Sequence, residues 1–397
     1  MASTRRDFIK HTVSGGAVVA AGIAGLDISS RRSFSQEFTR VAYRELGSTG
    51  FKASEIGFGC MNMRNAELVH AAIDKGINYL DTANSYMNGE NERVVGTVMK
   101  TKRDKVFLTT KIKYDNTGIE IKNMPGMVEE SLKRLQTDHV DLLLLHIVDT
   151  RETVFREDII KVFEDARKKG QTRFVGVSTH ANQAEVLDAV IEGKFWEAAL
   201  IGYSYVSSPD VGEAIARARK AGIATIGMKN LLKLTQRPRP PIEDIRTDEQ
   251  KDAGISNTQA LIKWVLDNPY LDTTVPGMTA FEHLEENLAL MGIPMKFGER
   301  MQLRRLGGML KGELCEGTSG CTGCREQCPK GVQICEINRC LGYAGGYGDL
   351  RLARENYASL PKSSRIEVCG ECDECLVKCV NGLDLTDSVQ RARELFA

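Results

Sequence analysis

Between residues 41 and 295 the chain repeats one unit, a short β-branched apolar run followed by an amphipathic stretch with helical spacing. The strand candidates cover residues 55–59, 77–82, 106–112, 139–146, 174–178, 198–203, 224–228 and 273–277, and the helix candidates include 65–75, 127–135, 156–169, 184–191, 210–221, 257–266 and 281–290. Runs with apolar residues at consecutive positions are covered on both faces, and strands that alternate with helices run parallel. Eight such units predict an α/β chain closed into a (β/α)8 barrel. The alternative is a doubly wound open sheet, but no strand candidate is followed by the G-x-G-x-x-G turn that such a sheet uses to hold a pyrophosphate.

A barrel of this kind occupies roughly 250 residues. The chain has 397, so both ends fall outside it. Of its 11 cysteines only Cys60 precedes residue 300, which marks residues 296–397 as a separate module. At the other end, Arg5-Arg6-Asp7-Phe8-Ile9-Lys10 precedes an apolar, Gly/Ala-rich stretch over 13–26 that is short for a membrane span. This order resembles the twin-arginine export signal of bacteria, and residues 1–35 are read as that signal. It implies a periplasmic or other extracytoplasmic location, with cleavage near Ser33-Phe34-Ser35 or Gly22-Ile23-Ala24. Left uncleaved, the segment would anchor the protein at the cytoplasmic face of the membrane. The 53 basic and 53 acidic residues cancel, which sets nucleic acid aside as a partner.

In such barrels chemistry gathers where strands end, on the C-terminal face. Asp81 ends the second strand candidate and Tyr86 follows in the next loop. Lys111 lies late in the third, and His146 closes the fourth. A lone strand-end histidine is ordinarily structural; four such groups on successive strands are a pattern. Together with Leu46-Gly47-Ser48-Thr49-Gly50, Asp81-Thr82-Ala83-x-x-Tyr86 and Gly89-x-x-Glu92, they resemble the aldo-keto reductase superfamily over about residues 42–295. The resemblance implies an NAD(P)-dependent oxidoreductase that moves hydride between a nicotinamide and a small carbonyl or alcohol substrate. Tyr86 would then donate the proton, Lys111 would pull its pKa down from the usual phenolic value, Asp81 would orient Lys111, and His146 would fix the substrate oxygen. By the same resemblance Ser178 would hold the carboxamide and Tyr203 would stack on the nicotinamide. Lys229, Gly277, Glu286 and Asn287 would meet phosphate and adenine. The loop Met278-Thr279-Ala280 lacks the basic residue that commonly pairs with a 2′-phosphate, so NADP(H) and NAD(H) both stay open.

Cys369-x2-Cys372-x2-Cys375-x3-Cys379 has the thiolate spacing of a bacterial ferredoxin run, with Val380 where proline commonly follows. Cys321-x2-Cys324-x3-Cys328-Pro329 is a shortened version of it. The pair resembles the ferredoxin-like extension of an iron-sulfur branch of the aldo-keto reductases. That implies a small, mainly helical domain with one 4Fe-4S cluster, or two, and an electron-transfer partner. Sharing of the last cysteine would join Cys328 to Cys369, Cys372 and Cys375, leaving Cys321, Cys324 and Cys379 for a second cluster completed by Cys315, Cys335 or Cys340. Structural zinc and disulfides are the other readings. Export of an already folded chain favours the cluster. The functional alternative to carbonyl turnover is an electron-transfer or redox-sensing module that retains the barrel.

Overall fold

The structure is a computed structural model that describes residues 41–113, 121–180, 182–231, 244–309, 315, 324, 327–345, 350–371, 375–379 and 382–396. The proposed export signal therefore lies outside the described residues, all of which belong to one compact unit, 39–397.

A hairpin opens the described chain, with β1 (Tyr43–Glu45) antiparallel to β2 (Lys52–Ser54). Eight parallel strands follow: β3 (Phe58–Gly59), β4 (Tyr79–Asp81), β5 (Phe107–Lys113), β6 (Val140–His146), β7 (Thr172–Thr179), β8 (Ala198–Gly202), β9 (Ala224–Met228) and β10 (Thr273–Thr274). Each pairs with its neighbour in chain order. Bridges from Ile56 to Thr274 and from Gly59 to Gly277 join the two edge strands, so the sheet closes on itself. Closure needs glycine, because a Cβ on Gly59 would sit 2.5 Å from the Val275 carbonyl oxygen. The same close approach explains why the two seam strands are the shortest, two residues each.

Helices Ala66–Asp74, Glu90–Lys102, Met124–Leu135, Glu157–Lys168, Gln183–Gly193, Pro209–Lys220, Asn257–Leu266 and Phe281–Leu288 follow the strands in turn. The strands are buried on both faces for a visible reason. In β6, Leu142 and Leu144 belong to the core inside the barrel with Tyr79, Phe107, Leu200 and Ile226. Leu143 and Leu145 belong to the outer core against the helices, with Val177, Ile201 and Phe163.

The hairpin is absent from the sequence reading, which took its turn only as a motif. Gly47 (φ +53°) and Gly50 (φ +74°) bend it back, and Leu46 and Ala53 enter the inner core, where the Phe51 ring lies tilted 5.0 Å from that of Phe107. Arg44 pins it by donating to the carbonyls of Leu266, Asn268 and Leu271. Glu90–Lys102 is also absent from that reading, because its buried side includes polar Asn91 and Glu92. Glu92 is fully buried, 2.7 Å from Arg134 Nε and 2.6 Å from the Thr110 hydroxyl, which ties this helix to β5 beneath the loop that carries Tyr86.

Candidate active site

β4, β5 and β6 lie side by side, and Asp81 and His146 at the ends of β4 and β6, with Lys111 two residues before the end of β5, come together at one mouth of the barrel. Lys111 is wholly buried, and its ammonium donates to Asp81 Oδ2 (2.7 Å), to the Thr82 carbonyl (2.6 Å) and to the Tyr86 hydroxyl (3.2 Å). An ammonium has three protons, and all three are used. Tyr86 stands in the short turn Tyr86–Gly89, in which Met87 and Asn88 are left-handed (φ 53° and 54°). The turn is held from below by Asn84 N–H donating to the Lys111 carbonyl. The Tyr86 ring meets the His146 imidazole edge-on at 6.0 Å. Behind Asp81, the Thr82 hydroxyl donates to Asn91 Oδ1, and Asn91 Nδ2 donates to the carbonyls of Cys60 and Met63. Asn91 thus fixes the backbone whose carbonyl receives Lys111, a positioning role that the sequence motif did not single out.

Charge at this mouth is set by burial and by Lys111. Burial raises the Asp81 carboxyl above its usual value, with Lys111 opposing. Burial alone would lower Lys111, but Asp81 and Tyr86 beside it hold the ammonium above the usual lysine value. For Tyr86 the outcome differs from the sequence expectation. Burial outweighs Lys111, and the phenol titrates above its usual value rather than below it. The phenol is therefore fully protonated near neutral pH, the form a proton donor needs. His146 is held well below the usual imidazole value, first by burial and then by Lys111, His180, Lys113 and Lys229, so it is neutral.

Below about pH 6.5 an unfolded chain protonates this histidine while the folded chain does not. Its contribution to stability is thus complete above that pH and is lost as the pH falls. We expect urea midpoints to drop between about pH 7.5 and pH 5.5, and a His146→Gln variant to show a shallower drop. Equal slopes for the two proteins would refute the assignment.

The profile of the Aldo/keto reductase family matches residues 55–303. The chain belongs to that family. This aldo/keto reductase is 25% identical over 278 residues to the uncharacterized oxidoreductase YqkF of Bacillus subtilis, an alignment covering 62% of the chain and 89% of the relative. It is 28% identical over 304 residues to YrpG of the same organism (64% and 92% covered). Among solved structures, the aldo-keto reductase AKR11C1 from Bacillus halodurans superposes with a TM-score of 0.55 at 23% identity, covering 67% of this chain and 96% of that one. A Klebsiella pneumoniae aldo/keto reductase in complex with NADP and acetate superposes with a TM-score of 0.55 at 25% identity (70% and 96% covered).

The dinucleotide residues read from the sequence are only partly brought together in the reductase. Ser178 is buried on β7, and its hydroxyl accepts the Ile147 N–H at 3.0 Å, next to His146. Gly277 is exposed at the barrel seam with open space where a Cβ would be, a place where a ligand can lie against the backbone. Glu286 and Asn287 lie on the helix Phe281–Leu288, the first half-buried and the second buried. Tyr203 is a correction. It falls just past the end of β8 with its ring in the outer core, 5.0 Å from Trp264, and its hydroxyl accepts from Asn268, so it is not available to stack at the mouth. Lys229 is another: its ammonium turns to the C-terminal extension and donates to the Tyr343 hydroxyl at 2.9 Å. Buried Asp81 Oδ1, Asn84 Oδ1, His146 Nδ1 and His180 Nδ1 have no partner among the described residues, which suits a site that receives a polar ligand.

The extension is helical where described, with helices Ile334–Gly345, Leu350–Ala358 and Leu385–Phe396. It is not a detached module. Tyr343 packs with Met61 of the loop after β3, so the helix Ile334–Gly345 reaches the barrel mouth. Cys324, Cys328, Cys335, Cys340, Cys369 and Cys379 share one small core, whereas Cys375 is exposed. Cys324 and Cys335 are free thiols within hydrogen-bonding reach of each other, and Cys335 lies outside the spaced runs. Cys321 and Cys372 lie outside the described residues. Among those described, no three His, Cys, Asp or Glu side chains stand where they could hold a metal.

Proposed function

We propose that this aldo/keto reductase transfers hydride between a nicotinamide dinucleotide, NADP(H) or NAD(H), and the carbonyl or alcohol carbon of a small molecule. The observation that carries this reading is the buried contact of Lys111 with both Asp81 and Tyr86. The Klebsiella relative in complex with NADP supports the cofactor. Two further relatives point to sugar-like substrates: L-galactose dehydrogenase of Arabidopsis thaliana, 25% identical over 284 residues (63% of this chain, 88% of that one), and 6-dehydroglucose reductase of Novosphingobium aromaticivorans, 31% identical over 160 residues (34% and 51%).

The dinucleotide, when bound, supplies the hydride. The chain's own residues handle the proton. Negative charge grows on the carbonyl oxygen as its carbon is reduced, and Tyr86 gives that oxygen its phenolic proton. The phenolate left behind lies 3.2 Å from the Lys111 ammonium, which stabilises it and which Asp81 keeps in place. Neutral His146, edge-on to Tyr86, is placed to hydrogen-bond the substrate oxygen and set its approach. Ser178 beside it would hold the carboxamide. Consumption of NADPH or NADH by the purified protein with a panel of aldehydes and ketones tests the reading; binding of dinucleotide without any turnover would favour the electron-transfer or redox-sensing alternative.

For the chain ends we propose a twin-arginine signal over residues 1–35, a barrel over 41–295 and an iron-sulfur extension over 296–397, placing the protein outside the cytoplasm with an electron-transfer partner. The spacing of the two cysteine runs is what supports the iron-sulfur reading of the extension. Five of the seven proposed ligands are described, and of these Cys324, Cys328, Cys369 and Cys379 already share one core. Cys369, Cys372, Cys375 and Cys379 with Cys328, Cys321 and Cys324 would hold the 4Fe-4S group. Anaerobically prepared protein should carry about four irons and matching sulfide per chain, and an Arg5→Lys, Arg6→Lys variant should stay in the cytoplasm. Zinc in place of iron, or unchanged export of the variant, would overturn the corresponding half.

A further inference from the structure

Three residues from separate parts of the sequence meet over the barrel mouth. Lys229 follows β9, whereas Arg339 and Tyr343 lie one turn apart on the helix Ile334–Gly345. Lys229 Nζ donates to the Tyr343 hydroxyl at 2.9 Å, and Arg339 Nη1 donates to the same oxygen at 3.3 Å. Tyr343 is buried at 1% exposure. The other cations here have counterions: Lys111 has Asp81, and Arg339 has Glu336, with Nε to Oε2 at 2.9 Å. Lys229 is half-buried and bonds the phenol of Tyr343, and the Glu336 carboxylate that pairs with Arg339 is also the one on which Lys229 and Lys113 act, so one described carboxylate faces three cations. Cations that outnumber their anions where they are partly withdrawn from water favour a ligand that brings a further negative charge.

The surroundings point the same way. His180 Nδ1 and His146 Nδ1 are buried without a hydrogen-bond partner among the described residues. Both imidazoles are kept neutral, by burial first and then by a common set of cations: His180 is under Lys229, Arg339, Lys111 and Lys113, and His146 is under Lys111, Lys113 and Lys229. Burial would raise the Tyr343 phenol, yet Lys229 and Arg339 outweigh it and hold it below its usual value. Tyr343 is close enough to act electrostatically on Tyr86. Tyr343, on whose hydroxyl both cations converge, thus links them to the proton donor's side of the mouth, whereas the phosphates of a dinucleotide are separated from its reacting carbon by a ribose.

We propose that Lys229, Tyr343 and Arg339 form the recognition site for a carboxylate on the carbonyl substrate, so that the substrate is an oxo acid and the extension helix determines specificity. The proposal rests on the hydride-transfer reading for the word substrate, though not for the site. Its test therefore begins with probes that cannot react. Full-length protein saturated with NADPH is titrated with benzoate and with its neutral counterpart benzamide, following the fluorescence of the bound NADPH. Benzoate should bind about tenfold or more tighter than benzamide, and Lys229→Met or Tyr343→Phe should remove most of that difference while Lys229→Arg keeps it. In turnover, the preference in kcat/KM for 4-carboxybenzaldehyde over benzaldehyde should fall by about the same factor in Lys229→Met. Equal binding of benzoate and benzamide by the unaltered protein would overturn the proposal. So would a Lys229→Met variant whose loss falls on NADPH affinity, since the site would then serve a dinucleotide phosphate. If benzoate discrimination is found but neither aldehyde is reduced, the carboxylate site stands and the hydride-transfer reading fails.

Discussion

Removing one oxygen atom, in Tyr86→Phe, is expected to lower kcat for carbonyl reduction by roughly a hundred- to ten-thousand-fold, the usual worth of a positioned proton donor. The argument is geometric. The ring keeps its edge-on contact with His146, and Lys111 keeps Asp81 and the Thr82 carbonyl as acceptors, so only the proton source and one 3.2 Å hydrogen bond are lost. Stability should change by only about 1 kcal/mol, and dinucleotide affinity should be nearly unchanged. Steady-state rates alongside a binding titration separate these quantities. A variant that keeps its full rate would show that another group delivers the proton.

Lys111→Met is expected to act on folding as well as on rate. It leaves the Asp81 carboxylate buried, with Oδ2 stripped of its ammonium and Oδ1 already without a partner. Breaking a buried pair on one side costs about 3–5 kcal/mol, because the remaining charge is uncompensated. Urea unfolding should register that loss. A second change, Asp81→Asn, removes the stranded charge and should recover part of the stability without recovering the rate, a coupling that a double-mutant cycle measures directly. If Lys111→Met unfolds at the same urea concentration as the parent, the pair is not what holds this end of the barrel together. The two experiments test different links: the first the chemistry of the Tyr86 oxygen, the second the electrostatics that keep it ready.

Much of the barrel was readable because its neighbours in space are neighbours in sequence. Each strand pairs with the next one along the chain, so local apolar runs and their spacing were enough to order all eight. Strand-end chemistry was readable for the same reason: Asp81 and His146 close their strands and Lys111 lies two residues from the end of the strand between them, and these three consecutive strands must lie side by side. Two expectations that depended on which way a residue just past a strand end turns were not met, although Tyr86, also past a strand end, does reach Lys111. Tyr203 lies one residue beyond β8, where the alternation of faces no longer binds it, and packing against Trp264 took its ring outward. Lys229 lies one residue beyond β9 in a left-handed conformation (φ 61°), which sends its ammonium to a helix more than a hundred residues away in sequence.

Periodicity and the order of the strands were thus enough to predict the barrel, and the residues at the strand ends carried the resemblance to the family, since both follow from short-range pattern along the chain. The tertiary structure decided how far each group is desolvated and what covers it. The Tyr86 phenol is raised rather than lowered because burial, a property of the whole packed mouth, outweighs one adjacent ammonium. Arg339 and Tyr343 join that mouth because the extension folds back over it, a contact between distant segments that leaves no periodic trace in the amino-acid order.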